Sequence, residues 1–514
     1  MQAIKKYHPE GLYVWDTQYM VWDGKVHVYH LQVKAPGSTR DDIESESWGH
    51  AVSDDLIMWE EHPRAFGPGP PGTDDARPNT GCVIPYKNKF YLLYWMRKQN
   101  QQGGVTDLAI GDTPDHFERY PGNPILEPDP AVFYSPSKPM RFGNWVEVRD
   151  VMVLSVPERE GFFAYYGSKL LNRELGTSGA IGLAYSRDLL HWEHRGVAFD
   201  PGNNANIDVV DAFPLDGRWY LTTLTATLCG SRSIFSEPRY TCGTIYSVAE
   251  KPKGPYRQLD DNILIACEGL PSGFSCRSVF FEGKRYLMYT DAISMDESDR
   301  SGAGAFGTLT LPKELRTDAS GHLLPCYSDR VEKINGNILI KKGELPVLPD
   351  IETVQQRLFP FTEWGIPMGS WHIQAGSIIG KSSGWSIQPL GKGERNFKCS
   401  LRIKPQGCAA AGLAFRSNTE SWGAVAFLDI EQQEVQYAEP PHFGFLHTRK
   451  ARLKQDMEYH LRVIAWGPQI EVYLDDVLLM QFARYATKEG QLGLFVDRGQ
   501  ANFSDIVAHG LNVE

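Results

Sequence analysis

The 514-residue sequence contains no C-x-x-C pair, and its eight cysteines (82, 229, 242, 267, 276, 326, 399 and 408) are scattered with no histidine at ligand spacing. That scatter argues against a structural zinc site and favours free buried thiols over disulfides. The opening, MQAIKKYHPEGLYVWD, holds no apolar stretch of signal-peptide length. Nowhere does an uncharged apolar run approach the ~20 residues a membrane span requires. Basic residues are in deficit, 52 against 63 acidic, so the net charge is −11 and no Lys/Arg-rich run reverses it. Such a chain repels nucleic acid and anionic membranes on average. Long amphipathic helical patterns are almost absent. The expectation is a soluble cytosolic protein with no cofactor or metal, and with neither nucleic acid nor membrane as partner.

What is present is aromatic and short-stranded. Thirteen Trp and 23 Tyr suit hydrophobic cores and also the stacking faces of sugars. One unit recurs: a strand, a two-residue turn, then a second strand rich in aromatics. It reads YMVWDGKVHVYHL (19–31), GCVIPYKNKFYLLYW (81–95), VMVLSVPEREGFFAYYG (151–167), AFPLDGRWYLTTL (212–224) and SVFFEGKRYLMYT (278–290). Alternation within each copy fits a half-buried hairpin, with D-G or N-K at the tip suited to a tight turn. A second element follows most copies, an apolar strand and a turn carrying Trp or Phe, as in WGHAVSDDLIMWEEHP (48–63) and IGLAYSRDLLHWEHRG (181–196).

Five repeats of about four strands predict a five-bladed β-propeller over residues 1–335. The unit is too short for a string of independent sandwiches. Residues 336–365 lose the repeat and read as a connector. Residues 366–514 change to plain strands, including the D-D hairpin IEVYLDDVLLMQF (470–482), and predict one antiparallel β-sandwich. The fold class is all-β.

A propeller brings the first strand of every blade to a central funnel. Carboxylates stand at that position in several copies: Asp16 in blade one, Asp150 after Arg149 in blade three, Asp208 and Asp211 in blade four, and Glu268 at the entry of blade five. Each alone could cap a turn. Crowded together they raise one another's pKa, which is tolerated mainly where chemistry uses it. Two carboxyls flanking a scissile bond are the basic kit of glycoside hydrolysis.

WGHAVSDDLIMWEEHP resembles the blade-one signature of glycoside hydrolase family 32, the invertase, inulinase and levanase group in the clan shared with families 43 and 68. YHLQVKAPG (29–37) is similar to the family's aromatic-Gln motif, NTGCV (79–83) to its Ser-Gly element, and VRDVMV (148–153) to its Arg-Asp-Pro motif with Val151 in place of Pro. GTLTLPKELRTDASGHLLPCY (307–327) resembles the segment that closes its fifth blade and favours family 32 over family 43. By this resemblance Asp16 corresponds to the nucleophile and Asp150 to the transition-state stabiliser, with Arg149 beside it. Gln32, Trp48 and Thr80 fall where the family lines its sugar subsite.

Two departures stand out. The nucleophile segment reads VWDTQYMVWDG and lacks the family's flanking Asn and Pro-Asn-Gly. The acid/base Glu is replaced: alignment on FPLDG puts Asp208 there and Asp211 at the following acidic position, with Glu268 as the other candidate acid. An Asp is one methylene shorter, and catalytic geometry is sensitive at that scale. The resemblance implies a retaining β-fructofuranosidase acting on short fructosides. An arabinofuranosidase, a fructosyl-transferring enzyme, or a carbohydrate-binding relative without a competent acid are the alternatives. His50 is expected to support a blade turn, Trp59 and Trp192 to pack between blades, Cys82 to be inert, and the acidic run 41–47 to form a solvated rim loop.

Overall fold

The computed structural model describes all residues except 1–2, 36–37, 39–46, 71, 74, 76, 98–102, 136–145, 157–159, 226–229, 234–235, 241–242, 267–273, 295–302, 350–368, 419–421, 441 and 486–488. Almost every regular element is a strand, in a five-bladed propeller followed by a β-sandwich. Of the sequence expectations, Glu268 and most of the acidic run lie outside the described residues.

The tight turns drive the local fold. Each two-residue tip needs two residues at positive φ, and Asp23–Gly24, Lys87–Asn88, Asp216–Gly217 and Glu282–Gly283 all have it. Such turns match the right-handed twist of the strands they join. They set the register of the inner hairpins of blades one, two, four and five, such as Trp22 opposite Lys25 and Leu215 opposite Arg218. Blade one runs Leu12–Trp22, Lys25–Lys34, Ser47–Ser53 and Glu60–Phe66, each strand antiparallel to the last. Blades two and three repeat that order from Pro78 and Arg149, and blade four from Ile207. In blade five, Phe274–Phe281, Lys284–Ser294 and Ala303–Leu309 pair in sequence. The ring closes where Val14 of blade one pairs with Gly307 of blade five, and Leu309 N–H donates to the Tyr7 carbonyl.

The innermost strand of every blade carries one irregularity in register: Trp15/Thr17, Pro78/Gly81, Arg149/Met152, Asp208/Asp211 and Phe274/Arg277. A bulge bends its strand and re-aims a side chain. Asp16 (φ 30°), Asp150 (φ 53°), Val209 (φ 45°) and Ser275 (φ 56°) sit at four of them in the left-handed region. Five bulges at equivalent positions turn toward one hub.

The sandwich is organised by its last strand, Gln491–Leu511, which pairs with Ser377–Pro389, Phe397–Gln406 and Ala410–Ser417. It also takes Asn335–Ile340, within and just ahead of the expected connector, as a further partner. A 3.6-residue pattern is missing there and a strand forms because the apolar Ile338–Ile340 run finds an open sheet edge. Alternating inward residues such as Leu401, Leu413, Val463 and Phe503 are fully buried.

Propeller and sandwich share a core. Tyr289, Leu287 and Leu315 of blade five pack with Ile464, Trp466 and Tyr473 of the sandwich. Inside it, Lys313 Nζ meets Glu471 Oε1 at 2.6 Å with the lysine side chain fully buried, and Tyr473 donates to the same carboxylate at 2.6 Å. Removing one partner of such a pair leaves a buried uncompensated charge. Lys313→Met is therefore expected to cost about 3 kcal/mol or more of stability, read as a lowered denaturant midpoint. A shift within the scatter of surface substitutions would refute the clamp.

Candidate active site

At the hub, Asp16 is held by two hydroxyls. Thr80 from blade two donates to Oδ2 and Ser275 from blade five donates to Oδ1. Both oxygens are thus fixed by neighbours on either side of the ring, which orients the carboxylate without a formal cation in contact. Burial pushes the Asp16 carboxyl up and the Asp208 charge adds to the effect, while the two hydroxyls and the more distant Arg277 guanidinium pull it back.

Asp150 is almost fully buried and accepts from Val209 N–H at 3.2 Å on Oδ2. Its Oδ1 has no hydrogen-bond partner among the described residues. Burial pushes this carboxyl up to about 7, with Asp208 and Asp16 contributing and Arg149 opposing. Arg149 sits among the acids: Nη1 lies 3.0 Å from Asp208 Oδ2 and 3.6 Å from Glu147 Oε1, and Nε lies 3.8 Å from Asp150 Oδ2. Its guanidinium stacks on Trp95 with Cζ 4.7 Å from the ring centre. Burial works against the Arg149 charge, but the surrounding carboxylates more than restore it.

Arg277 is the second cation of the hub and is fully buried. Reaching across from blade five, it donates to the Gly81 carbonyl at 2.5 Å and the Asp150 carbonyl at 3.0 Å. Any side chain at Gly81 would collide with the neighbouring strand, since a Cβ there would lie 1.8 Å from the Leu93 carbonyl oxygen. Close backbone approach and a buried arginine together lock blades two, three and five around the hub.

The sequence-predicted residues divide accordingly. Asp16, Thr80, Arg149, Asp150 and Asp208 are brought together. Gln32 is buried on the second strand of blade one and donates to Ser47 at 3.1 Å. Trp48 is buried in the packing between blades one and two, with no partner for Nε1 among the described residues. Asp211 accepts from both the backbone N–H (2.8 Å) and hydroxyl (2.6 Å) of Ser278, so it ties blade four to blade five. Cys82 is fully buried and its thiol is pushed up to about 11 by desolvation, which leaves it unreactive. The five described cysteines are free thiols. Ser275, Arg277, Glu147 and Trp95 were not singled out from sequence; the repeat places Ser275 at the blade-five position equivalent to Asp16, which was the available signal.

Comparison with known proteins adds a family likeness and a fold likeness. The family model for the glycosyl hydrolases family 32 N-terminal domain matches residues 8–146, the stretch that carries Asp16, Gln32, Trp48 and Thr80. By that segment the chain is similar to glycoside hydrolase family 32. A levanase from Bacillus subtilis is 25% identical over 217 residues, 40% of this chain and 31% of the levanase. An invertase from Schizosaccharomyces pombe is 26% identical over 207 residues, 34% of this chain and 33% of the invertase. The matched stretch thus spans about a third of these curated relatives. Among solved structures, sucrose-6-phosphate hydrolase from Lactobacillus gasseri superposes with a TM-score of 0.68 at 15% identity, covering 100% of this chain and 94% of that one. A Bombyx mori family 32 β-fructofuranosidase superposes at 0.66 and 15% identity, covering 100% and 95%. These likenesses carry the fold, a propeller followed by a sandwich, over the whole chain.

The raised Asp150 pKa makes a signed prediction for this hub. The carboxyl ionises near 4 in the unfolded chain and near 7 in the fold. Between those values the native state binds the extra proton, so stability falls as pH rises through that window. Asp150→Asn is expected to gain stability relative to the parent on going from pH 4 to pH 8, by up to about 4 kcal/mol. Denaturant titrations at both pH values read the difference; a pH-independent effect would contradict the assignment.

Proposed function

We propose that the chain is a retaining glycosidase acting on β-fructofuranosides. The observation that carries the reading is the pairing of Asp16, aimed by Thr80 and Ser275, with Asp150 and Asp208 in one buried cluster. In a retaining mechanism one carboxylate attacks the anomeric carbon while a second carboxyl protonates the departing oxygen. Asp16 takes the first role. Its hydroxyl partners steer both oxygens and leave its negative charge uncancelled by any direct ion pair. The covalent glycosyl–Asp16 ester then forms as the glycosidic bond breaks.

Asp208 takes the acid role in this reading, delivering its proton to the leaving oxygen and recovering one from the attacking water in the second step. Arg149 Nη1 already forms an ion pair with Asp208 Oδ2 at 3.0 Å. The acid step therefore requires the substrate to draw Arg149 toward Glu147 and Asp150, on whose carboxylates it already has a foothold. Asp150, with one unpartnered oxygen, receives sugar hydroxyls and stabilises the positive charge of the oxocarbenium-like transition state. The relatives named levanase and invertase support a fructoside over other furanosides.

A second reading is favoured by the same Arg149–Asp208 contact: a carbohydrate-binding protein in which the shortened, ion-paired acid no longer turns over. Sugar release from sucrose, inulin- and levan-type oligosaccharides and arabinofuranosides separates the readings. Fructose release by the parent, reduced about 10⁴-fold or more in Asp16→Asn and about 10²–10⁴-fold in Asp208→Asn, is the expected outcome. Release from arabinofuranosides alone would retain the mechanism and change the sugar, and longer fructosides as products would point to transfer. Fructoside binding without turnover in the parent would establish the binder.

A further inference from the structure

A second polar cluster lies between blades one and two, outside the carboxylate hub. His27, His50 and His62 come from successive strands of blade one, and Asp115 from the turn joining the two outer strands of blade two. His50 Nδ1 and His62 Nδ1 converge on the same oxygen, Asp115 Oδ1, at 3.1 Å and 2.7 Å. The ligand-capable atoms of these three residues all lie within 4.8 Å of one another. The other nitrogen of His50 is 3.0 Å from His27 Nδ1. Its ring is sandwiched, stacked on Tyr29 at 4.5 Å and nearly parallel to it.

We propose that His50, His62 and Asp115 form a binding site for a zinc-type divalent transition-metal ion that clips blade one to blade two. Three features of the geometry carry this. Two imidazole Nδ1 atoms aimed at one carboxylate oxygen leave a single central point for a cation. With bonds of about 2.0–2.1 Å, a tetrahedral ion separates its ligands by roughly 3.3 Å, so the Asp115 oxygen need retreat only a few tenths of an ångström from either nitrogen while the two nitrogens, within 4.8 Å of each other, close toward that spacing. Imidazole nitrogens with one carboxylate select zinc, cobalt, nickel or copper over calcium or magnesium, which prefer all-oxygen shells.

The surroundings fit as well. With its Nδ1 on the ion, His50 carries its proton on Nε2 and donates it to His27 Nδ1, the outer-shell partner that a metal-bound histidine commonly has. Tyr29, whose hydroxyl donates to the Pro114 carbonyl at 2.8 Å, holds the ring plane and the Asp115 turn together. The His50 side chain is fully buried, whereas His62 and Asp115 are 29% and 38% exposed, which gives the ion an entry path and leaves a fourth position for water. The ligands stand 65 and 53 residues from Asp115 in sequence. A search for closely spaced ligands passes over them, which is why the sequence reading expects no metal.

The test uses the full chain stripped with a chelator and titrated with zinc chloride by calorimetry, with calcium chloride as the control cation. The parent is expected to bind one zinc ion at this site and to melt at a higher temperature with zinc than with chelator. His62→Ala and Asp115→Ala, both at partly exposed positions, should lower zinc affinity at least about a hundredfold and abolish the melting shift. Their melting in chelator checks that each is folded. Zinc binding of parent strength in either folded variant, equal stabilisation by calcium, or no zinc binding by the parent would overturn the proposal. Fructoside turnover does not enter the readout.

Discussion

The centre of the propeller is a problem in charge compensation. Asp16, Glu147, Asp150 and Asp208 are all buried there, and buried charge is costly unless it is paired. Two arginines, Arg277 buried and Arg149 partly so, balance them in different ways. Arg149 sits among Glu147, Asp150 and Asp208 and meets their charges directly. Arg277 spends its donors on backbone carbonyls of blades two and three, so it fixes the frame and lends only a long-range charge to Asp16. The balance is incomplete at Asp150, whose pKa stays well above its ordinary value. A group held near neutrality's edge by its neighbours is what catalytic sites commonly contain.

That crowding is possible because every inner strand bends at the same level. A regular strand alternates its side chains and would send Asp16 and its counterparts to whichever face the pleat dictates. One extra residue per blade breaks the alternation and turns the local side chain toward the axis. The left-handed backbone at Asp16 and Asp150 is costly for a residue with a side chain and persists only where the surroundings enforce it. Here the enforcement is visible, in Thr80 and Ser275 around Asp16 and in Val209 and Arg149 around Asp150.

The sandwich contributes at a distance. Its strands share a core with blades four and five, and the buried Lys313–Glu471 pair sits in that shared layer. Blade five supplies Ser275 and Arg277 to the hub, so immobilising its outer strands against the sandwich also steadies two of the hub's supporting groups. The ring is closed by short pairings between blade one and blade five, and a rigid blade five makes that closure firm.

The repeat, its five copies, the tight turns and the change of pattern after the propeller were legible in the chain, because each depends on residues close in sequence. Asp-Gly and Lys-Asn tips specify a hairpin by their own backbone preferences, and alternation specifies which face is buried. Asp16 and Asp150 could be singled out because the repeat assigns them equivalent positions, and Asp208 because it directly precedes the matching Val209. Thr80 and Arg149 among their partners could be too, but Ser275 and Arg277 could not. Ser275 donates to Asp16 across the closed ring, 259 residues away in sequence, and Arg277 reaches Gly81 across 196. Asp211 looked equivalent to the hub acids, yet a shift of register gives its carboxylate to Ser278. The histidines of blade one and Asp115 meet only because blades one and two pack side by side. Local sequence thus determines the units and their turns through short-range backbone and burial preferences. Which charges face one another is decided by ring closure, since electrostatic compensation depends on separation in space.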